Sequence, residues 1–226
     1  RRAFIFPLSA LICVLGGAIF WYVGPKTQAP AAAAPAPPRE PKPVLFSRFL
    51  DTVVFPDELQ FSVNEAAELA SILSQADAAL VQSRSTRPDR DRARRELKSA
   101  TFAELEAFLQ RNPQSGLVPA VRDALARQYR ADGRFSRAMN HWAEAWTATA
   151  NSNGKAERLI ADRALAETAF LYTSLGRIEE LAPLVQAYQF RVMSSPTLAQ
   201  IWARAMEAYF EMVNSPGKAY RCGTFA

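Results

Sequence analysis

From Ser62 to Met212, apolar residues recur at spacings of three and four, the period of one helical face. Ser62 and Glu65 form a capping box, with Phe61 just outside it as a staple. The helix they open carries Ala66, Leu69, Ala70, Leu73 and Leu80 and ends near Gln82. Thr101 and Glu104 read as a second capping box, opening a helix striped with Phe102, Leu105, Phe108 and Leu109 that stops at Asn112-Pro113. The next helix covers Pro119 to Ala131 with Val121, Leu125 and Tyr129, and turns at Asp132-Gly133 into one bearing Phe135, Ala138, Met139, Trp142, Ala145 and Trp146. A second pair follows Asn151-Ser152-Asn153-Gly154. It carries Ile160, Ala164, Leu165, Ala169, Phe170 and Tyr172, turns at Leu175-Gly176, and continues with Ile178, Leu181, Leu184, Val185 and Tyr188. A last helix starts at Pro196, capped by Ser195, with Leu198, Trp202, Met206, Tyr209, Phe210 and Met212. Ahead of all these, Phe46, Phe49, Leu50 and Val53 share one helical face, so residues 44–61 are expected to hold a short amphipathic helix. No alternating pattern runs long enough for a sheet. The expected fold class is all-α, with the helical domain over residues 62–213 and a tail over 214–226.

The N-terminal pattern is different in kind. Arg1 and Arg2 precede an uncharged apolar run from Ala3 to Gly24. As a helix this run reaches ~33 Å, enough for a ~30 Å hydrocarbon core. Trp21 and Tyr22 sit at its far end, where amphipathic rings favour the headgroup zone. Residues 1–24 are therefore expected to be a single-pass anchor in the cell inner membrane, with a cytoplasmic N-terminus and a periplasmic C-terminal domain. A cleavable signal peptide and a buried hairpin helix are the rival readings. Ile12 before Cys13 is not the small residue a lipoprotein signal requires. Residues 25–43 are rich in proline and alanine and read as an extended linker, since proline removes the donor and blocks the preceding helical turn.

Charge narrows the choice of partner. The 226 residues carry 27 Lys+Arg and 22 Asp+Glu, a net charge of +5, well short of a polybasic nucleic-acid binder. Arg84, Arg87, Arg90, Arg92, Arg94, Arg95 and Lys98 concentrate the excess. This basic patch reads either as a surface for acidic partners or lipid headgroups, or as a solvated loop leading into a charged helix face. It contains no aromatic residue to stack on bases, so no nucleic acid is expected. With one histidine and two cysteines in the chain, a His-x-x-x-His zinc site and a disulfide scaffold are both excluded, and no metal or cofactor is expected.

Gly133 and Gly176 stand 43 residues apart. Between Leu125 and Ala145, the residues Leu125, Tyr129, Gly133, Phe135, Ala138, Trp142 and Ala145 stand at offsets that resemble a tetratricopeptide repeat. Ala169, Tyr172, Gly176, Ile178 and Leu181 follow the pattern more loosely, with Leu181 where a small residue is usual. The resemblance implies an α-solenoid of helical hairpins that binds other proteins. On that reading Tyr129, Trp142, Trp146, Trp202, Tyr209 and Phe210 are either packed core or anchors for a partner. His141, next to Trp142 in the helix, is expected to point away from the core stripe.

At the other end, Arg221-Cys222-Gly223 resembles the nucleophile motif that opens a papain-like or peptidase C39-like domain. That resemblance implies Cys222 as a catalytic thiol, activated by a downstream histidine that these 226 residues do not contain. The leading expectation is a non-catalytic, membrane-anchored scaffold or accessory subunit. Its partners would be other subunits of a membrane complex, and the bilayer through residues 3–24. The alternatives are the docking part of a larger cysteine peptidase and a transient assembly factor.

Overall fold

A computed structural model of the protein describes residues 46–47, 51–82 and 90–216, all within the compact unit Pro41–Ala226. The expected anchor at 3–24, the linker, Arg84, Arg87 and Cys222 lie outside the described residues. The described chain is all-helical apart from one two-residue ladder. Phe46–Ser47 (β1) pairs antiparallel with Asp51–Thr52 (β2). Seven helices follow: Val63–Gln82 (α1), Arg90–Arg111 (α2), Val118–Ala131 (α3), Phe135–Thr149 (α4), Lys155–Ser174 (α5), Ile178–Tyr188 (α6) and Pro196–Asn214 (α7). None of these is long and apolar enough to cross a membrane.

Two expectations are corrected here. The helix expected within 44–61 is replaced by the ladder and an extended segment, residues 53–61. Val53 and Phe55 alternate inward and are buried, with Val54 between them only half-buried. Pro56 then disfavours helical backbone in the residue before it. The second correction is at Thr101, which caps nothing. It sits inside α2, where its Oγ1 donates to the Leu97 carbonyl at 2.9 Å. The described helix runs from Arg90, so residues 90–98 of the charged stretch form its first turns.

The capping box at α1 is formed as read. Ser62 N–H donates to Glu65 Oε2 at 2.7 Å, and Glu65 N–H donates to Ser62 Oγ at 3.1 Å. Both hairpin turns are built alike. Gly133 and Gly176 adopt left-handed backbone, with φ of 71° and 67°. The residue after each glycine donates five residues back, Arg134 to the Tyr129 carbonyl and Arg177 to the Tyr172 carbonyl, each at 2.8 Å. This arrangement satisfies carbonyls that a helix end would otherwise leave open. Ser195 Oγ accepts from Leu198 N–H at the start of α7.

Each helix packs on its neighbour in sequence, and α5 also meets α3 and α7. Helix–helix contacts therefore run mainly between neighbours in sequence, as in stacked hairpins. The core divides in two. One cluster gathers Leu69, Phe102, Leu105, Phe108, Leu125, Tyr129 and Trp142 with Val53 and Phe55 of the extended segment. The other gathers Leu165, Ala169, Leu181, Val185, Trp202, Ala205 and Met212. Trp146 packs against both.

Candidate protein-binding face and its polar networks

The structure separates the six aromatic candidates. Tyr129, Trp142 and Trp202 are buried, so the packed-core alternative describes them. Trp146 and Tyr209 are half-buried. Trp146 meets Tyr188 edge-on at 5.0 Å and lies under the Arg191 guanidinium. Tyr209 meets Phe210 at 5.4 Å, and Phe210 is 46% exposed near the end of α7. Of the basic patch, Arg92, Arg94 and Arg95 project into solvent from the first turns of α2, and Arg92 pairs with Glu96 one turn on. Arg90 is the first residue of α2, and its side chain lies outside the description.

His141 is a correction: it points inward. It is buried and stacks on Tyr129 at 5.4 Å between centroids with an interplanar angle of 10°. Glu106 Oε1 lies 3.0 Å from His141 Nε2 and accepts from Tyr129 Oη at 3.0 Å. Arg122 Nη1 is 3.5 Å from His141 Nδ1. A guanidinium can only donate, so Nδ1 accepts and the proton sits on Nε2, directed at Glu106. Burial lowers the His141 pKa, and the nearby Glu106 only partly offsets this. Burial likewise raises the Tyr129 pKa, against the pull of Arg137. The imidazole thus favours the neutral form, with both nitrogens engaged, and the Tyr129 hydroxyl beside it is itself held by Glu106. The arrangement joins α2, α3 and α4.

A second network joins α3 to α5. Asp123, buried in α3, accepts from Trp142 Nε1 at 3.3 Å and is ion-paired with Arg163 and, at 3.5 Å, with Arg127. Arg130 pairs with Glu167 and covers the Phe170 ring. Burial raises the Glu167 pKa, while Arg130 pulls it back. A third network holds the loop before α7. Asp162, fully buried in α5, accepts from Arg191 Nε at 2.7 Å and from Ser194 N–H at 2.6 Å.

The extended segment 53–61 is fastened to the start of α5. Glu157 is fully buried, and its Oε1 accepts from the backbone N–H groups of Glu58 (2.6 Å) and Leu59 (3.1 Å). In return Asp57 Oδ2 accepts from Ala156 N–H at 3.0 Å, and Glu58 Oε2 from Asn153 N–H at 3.1 Å. Gly116 N–H donates to the Gln60 carbonyl at 2.7 Å. A strap from outside the helix thereby satisfies one open donor of the α5 N-terminus, the Ala156 N–H, and the Asn153 N–H just ahead of it.

The sequence reading passed over Asp123, Glu157, Asp162 and Glu167. The signal was present: each is a carboxylate inside an apolar stripe, as with Asp123 between Val121 and Ala124. Carboxylates buried in that way take partners, here arginines for Asp123, Asp162 and Glu167 and two backbone N–H groups for Glu157. Among the described residues no group of three or more His, Cys, Asp or Glu side chains is arranged to hold a metal ion. No protein family, curated protein or solved structure matches the chain.

Proposed function

We propose that the protein is a non-catalytic scaffold or accessory subunit. It is anchored through residues 3–24 and uses tetratricopeptide-like hairpins to bind and stabilise a membrane-associated protein assembly on the periplasmic side of a bacterial-type inner membrane. The observation that carries this reading is the α3–α4 hairpin. Of the residues that carry the resemblance, Leu125, Tyr129, Ala138, Trp142 and Ala145 are buried, Gly133 takes the left-handed turn, and Phe135 is 37% exposed. The polar groups around them are committed to holding helix to helix. Stacked hairpins of this kind present extended surfaces to partners.

The test is the intact mass of the membrane-extracted native protein together with the identity and ratio of whatever co-extracts. The expected result is a product that retains residues 3–24 and co-extracts with partners in fixed stoichiometry. Substoichiometric, reversible association would replace this reading with a transient assembly factor. A longer product with histidine beyond Ala226 would make Cys222 the residue to alkylate.

A further inference from the structure

The two hairpin turns jointly line a cleft of about 370 Å³ that no feature of the sequence announced. It is lined by Arg134, Arg137 and Arg177 together with the apolar Phe135, Met139 and Leu175. Arg134 and Arg177 occupy the same register in successive hairpins. Each follows the turn glycine and precedes the first residue of its helix, with backbone angles of −88°, 60° and −88°, 72°. Two guanidinium groups therefore leave equivalent points on neighbouring hairpins and reach one cleft.

The charges here are not closed off as they are elsewhere in the domain. Arg130, Arg163 and Arg191 each meet a buried carboxylate. Arg137 instead lies over the Tyr129 ring, with Nη1 3.4 Å from the phenol oxygen. Arg177 is paired with Glu180 in solvent, and Arg134 makes no ion pair among the described residues. The lining thus holds three arginines and no carboxylate, with Glu180 reaching Arg177 from outside it and the Tyr172 ring beneath that guanidinium. Glu180 on Arg177 also shows the chemistry that fits: a carboxylate on a guanidinium, with Glu180 Oε1 taking both Nε and Nη2. Between the cations, Phe135 is 37% exposed and Leu175 44% exposed, which gives an apolar side chain a place to sit.

We infer that this cleft binds an extended acidic segment of a partner protein, with carboxylates on Arg134 and Arg177 and an apolar side chain between Phe135 and Leu175. The inference rests on the protein-binding reading above and adds the chemistry of what is bound and where. Charge complementarity selects the occupant, and the apolar lining distinguishes it from a simple anion.

The probe is a labelled, end-blocked peptide, Glu-Phe-Asp-Glu-Leu, titrated by fluorescence anisotropy into the detergent-solubilised full chain. Saturable binding is expected, weakened about tenfold or more by Arg134→Glu with Arg177→Glu. Replacing the peptide's apolar residues by alanine weakens it too, as does raising salt from about 50 to about 500 mM. Both arginines are exposed, and a circular dichroism melt, together with the milder Arg134→Gln/Arg177→Gln pair, checks that the fold is intact. Equal binding of a Lys-Phe-Lys-Lys-Leu peptide, or undiminished binding by the charge-reversed variant, overturns the proposal. So does capture of phosphatidylglycerol vesicles or inorganic phosphate at these arginines with no peptide bound. Native partners that stay in fixed ratio with the charge-reversed variant would overturn the cleft as their docking site and leave the scaffold reading standing. Peptide bound in the cleft of a protein that extracts without partners would do the reverse.

Discussion

Gly133 and Gly116 are needed for different reasons, and substitution separates them. A Cβ at Gly133 meets nothing within 4 Å, so Gly133→Ala carries only the left-handed backbone penalty, about 1–2 kcal/mol in a urea melt. A Cβ at Gly116 would lie 2.5 Å from the Gln60 carbonyl oxygen. Gly116→Ala therefore forces the strap away, at about 1–3 kcal/mol, and exposes residues 53–61 to protease as Gly133→Ala does not. His141 gives a pH signature. Its folded pKa lies below 6.5, so its contribution to stability is complete above about pH 6.5 and is lost as pH falls through the folded value. Glu167, raised above 4.5, works in the opposite sense: its contribution is complete below 4.5 and declines as pH rises through its folded value. Urea midpoints from pH 4.5 to 7.5 for the wild type and His141→Gln isolate the histidine component. The variant is expected to lose the acid-side decline between them.

Between elements, the hairpins were legible because their signals are local: a glycine that only a left-handed turn requires, and small residues at the helix contact. The Ser62–Glu65 box was legible for the same reason. Thr101–Glu104 has the same local pattern and misleads, because nothing at four residues' range reveals that α2 already runs through it. Its first turns, Arg90 to Glu96, carry charge where a stripe would betray a helix. His141 was misplaced because α4 buries a wider face than one partner explains. Ala138, His141, Trp142, Ala145 and Thr149 are all inside, and Glu106 reaches His141 from α2. The candidate binding cleft was not legible at all, since it exists only once residues 43 apart are brought side by side. The α3–α5 joint depends on Asp123. Asp123→Ala leaves the Arg163 guanidinium and the Trp142 N–H without their acceptor, and is expected to cost about 3–5 kcal/mol, read by chemical denaturation. Asp123→Asn keeps an acceptor for Trp142 and is expected to fall between the two.

For the described domain as a whole, the strap changes the meaning of a stacked array. Stacked hairpins hold by nearest-neighbour contacts. Here Asp57, Glu58 and Leu59 bind residues about 100 positions away, against the start of α5. Glu157→Ala leaves two strap N–H groups unsatisfied and is expected to destabilise by about 1–3 kcal/mol. Hydrogen exchange should show protection lost at 57–60 before any loss in α3 or α4, whereas simultaneous loss throughout would mean that the strap is integral to one cooperative unit.

The strap also sets a delay during synthesis. Glu58 leaves the ribosome 99 residues ahead of Glu157, the group that receives its N–H. At about 5–20 residues per second, that partner arrives some 5–20 s later. Through that interval the carboxylate that takes the Glu58 and Leu59 N–H groups is missing, although Leu69, Phe102 and Leu125, which cluster with Val53 and Phe55, are made before it arrives. The newborn chain thus packs this segment first and fastens it only when the start of α5 has been made.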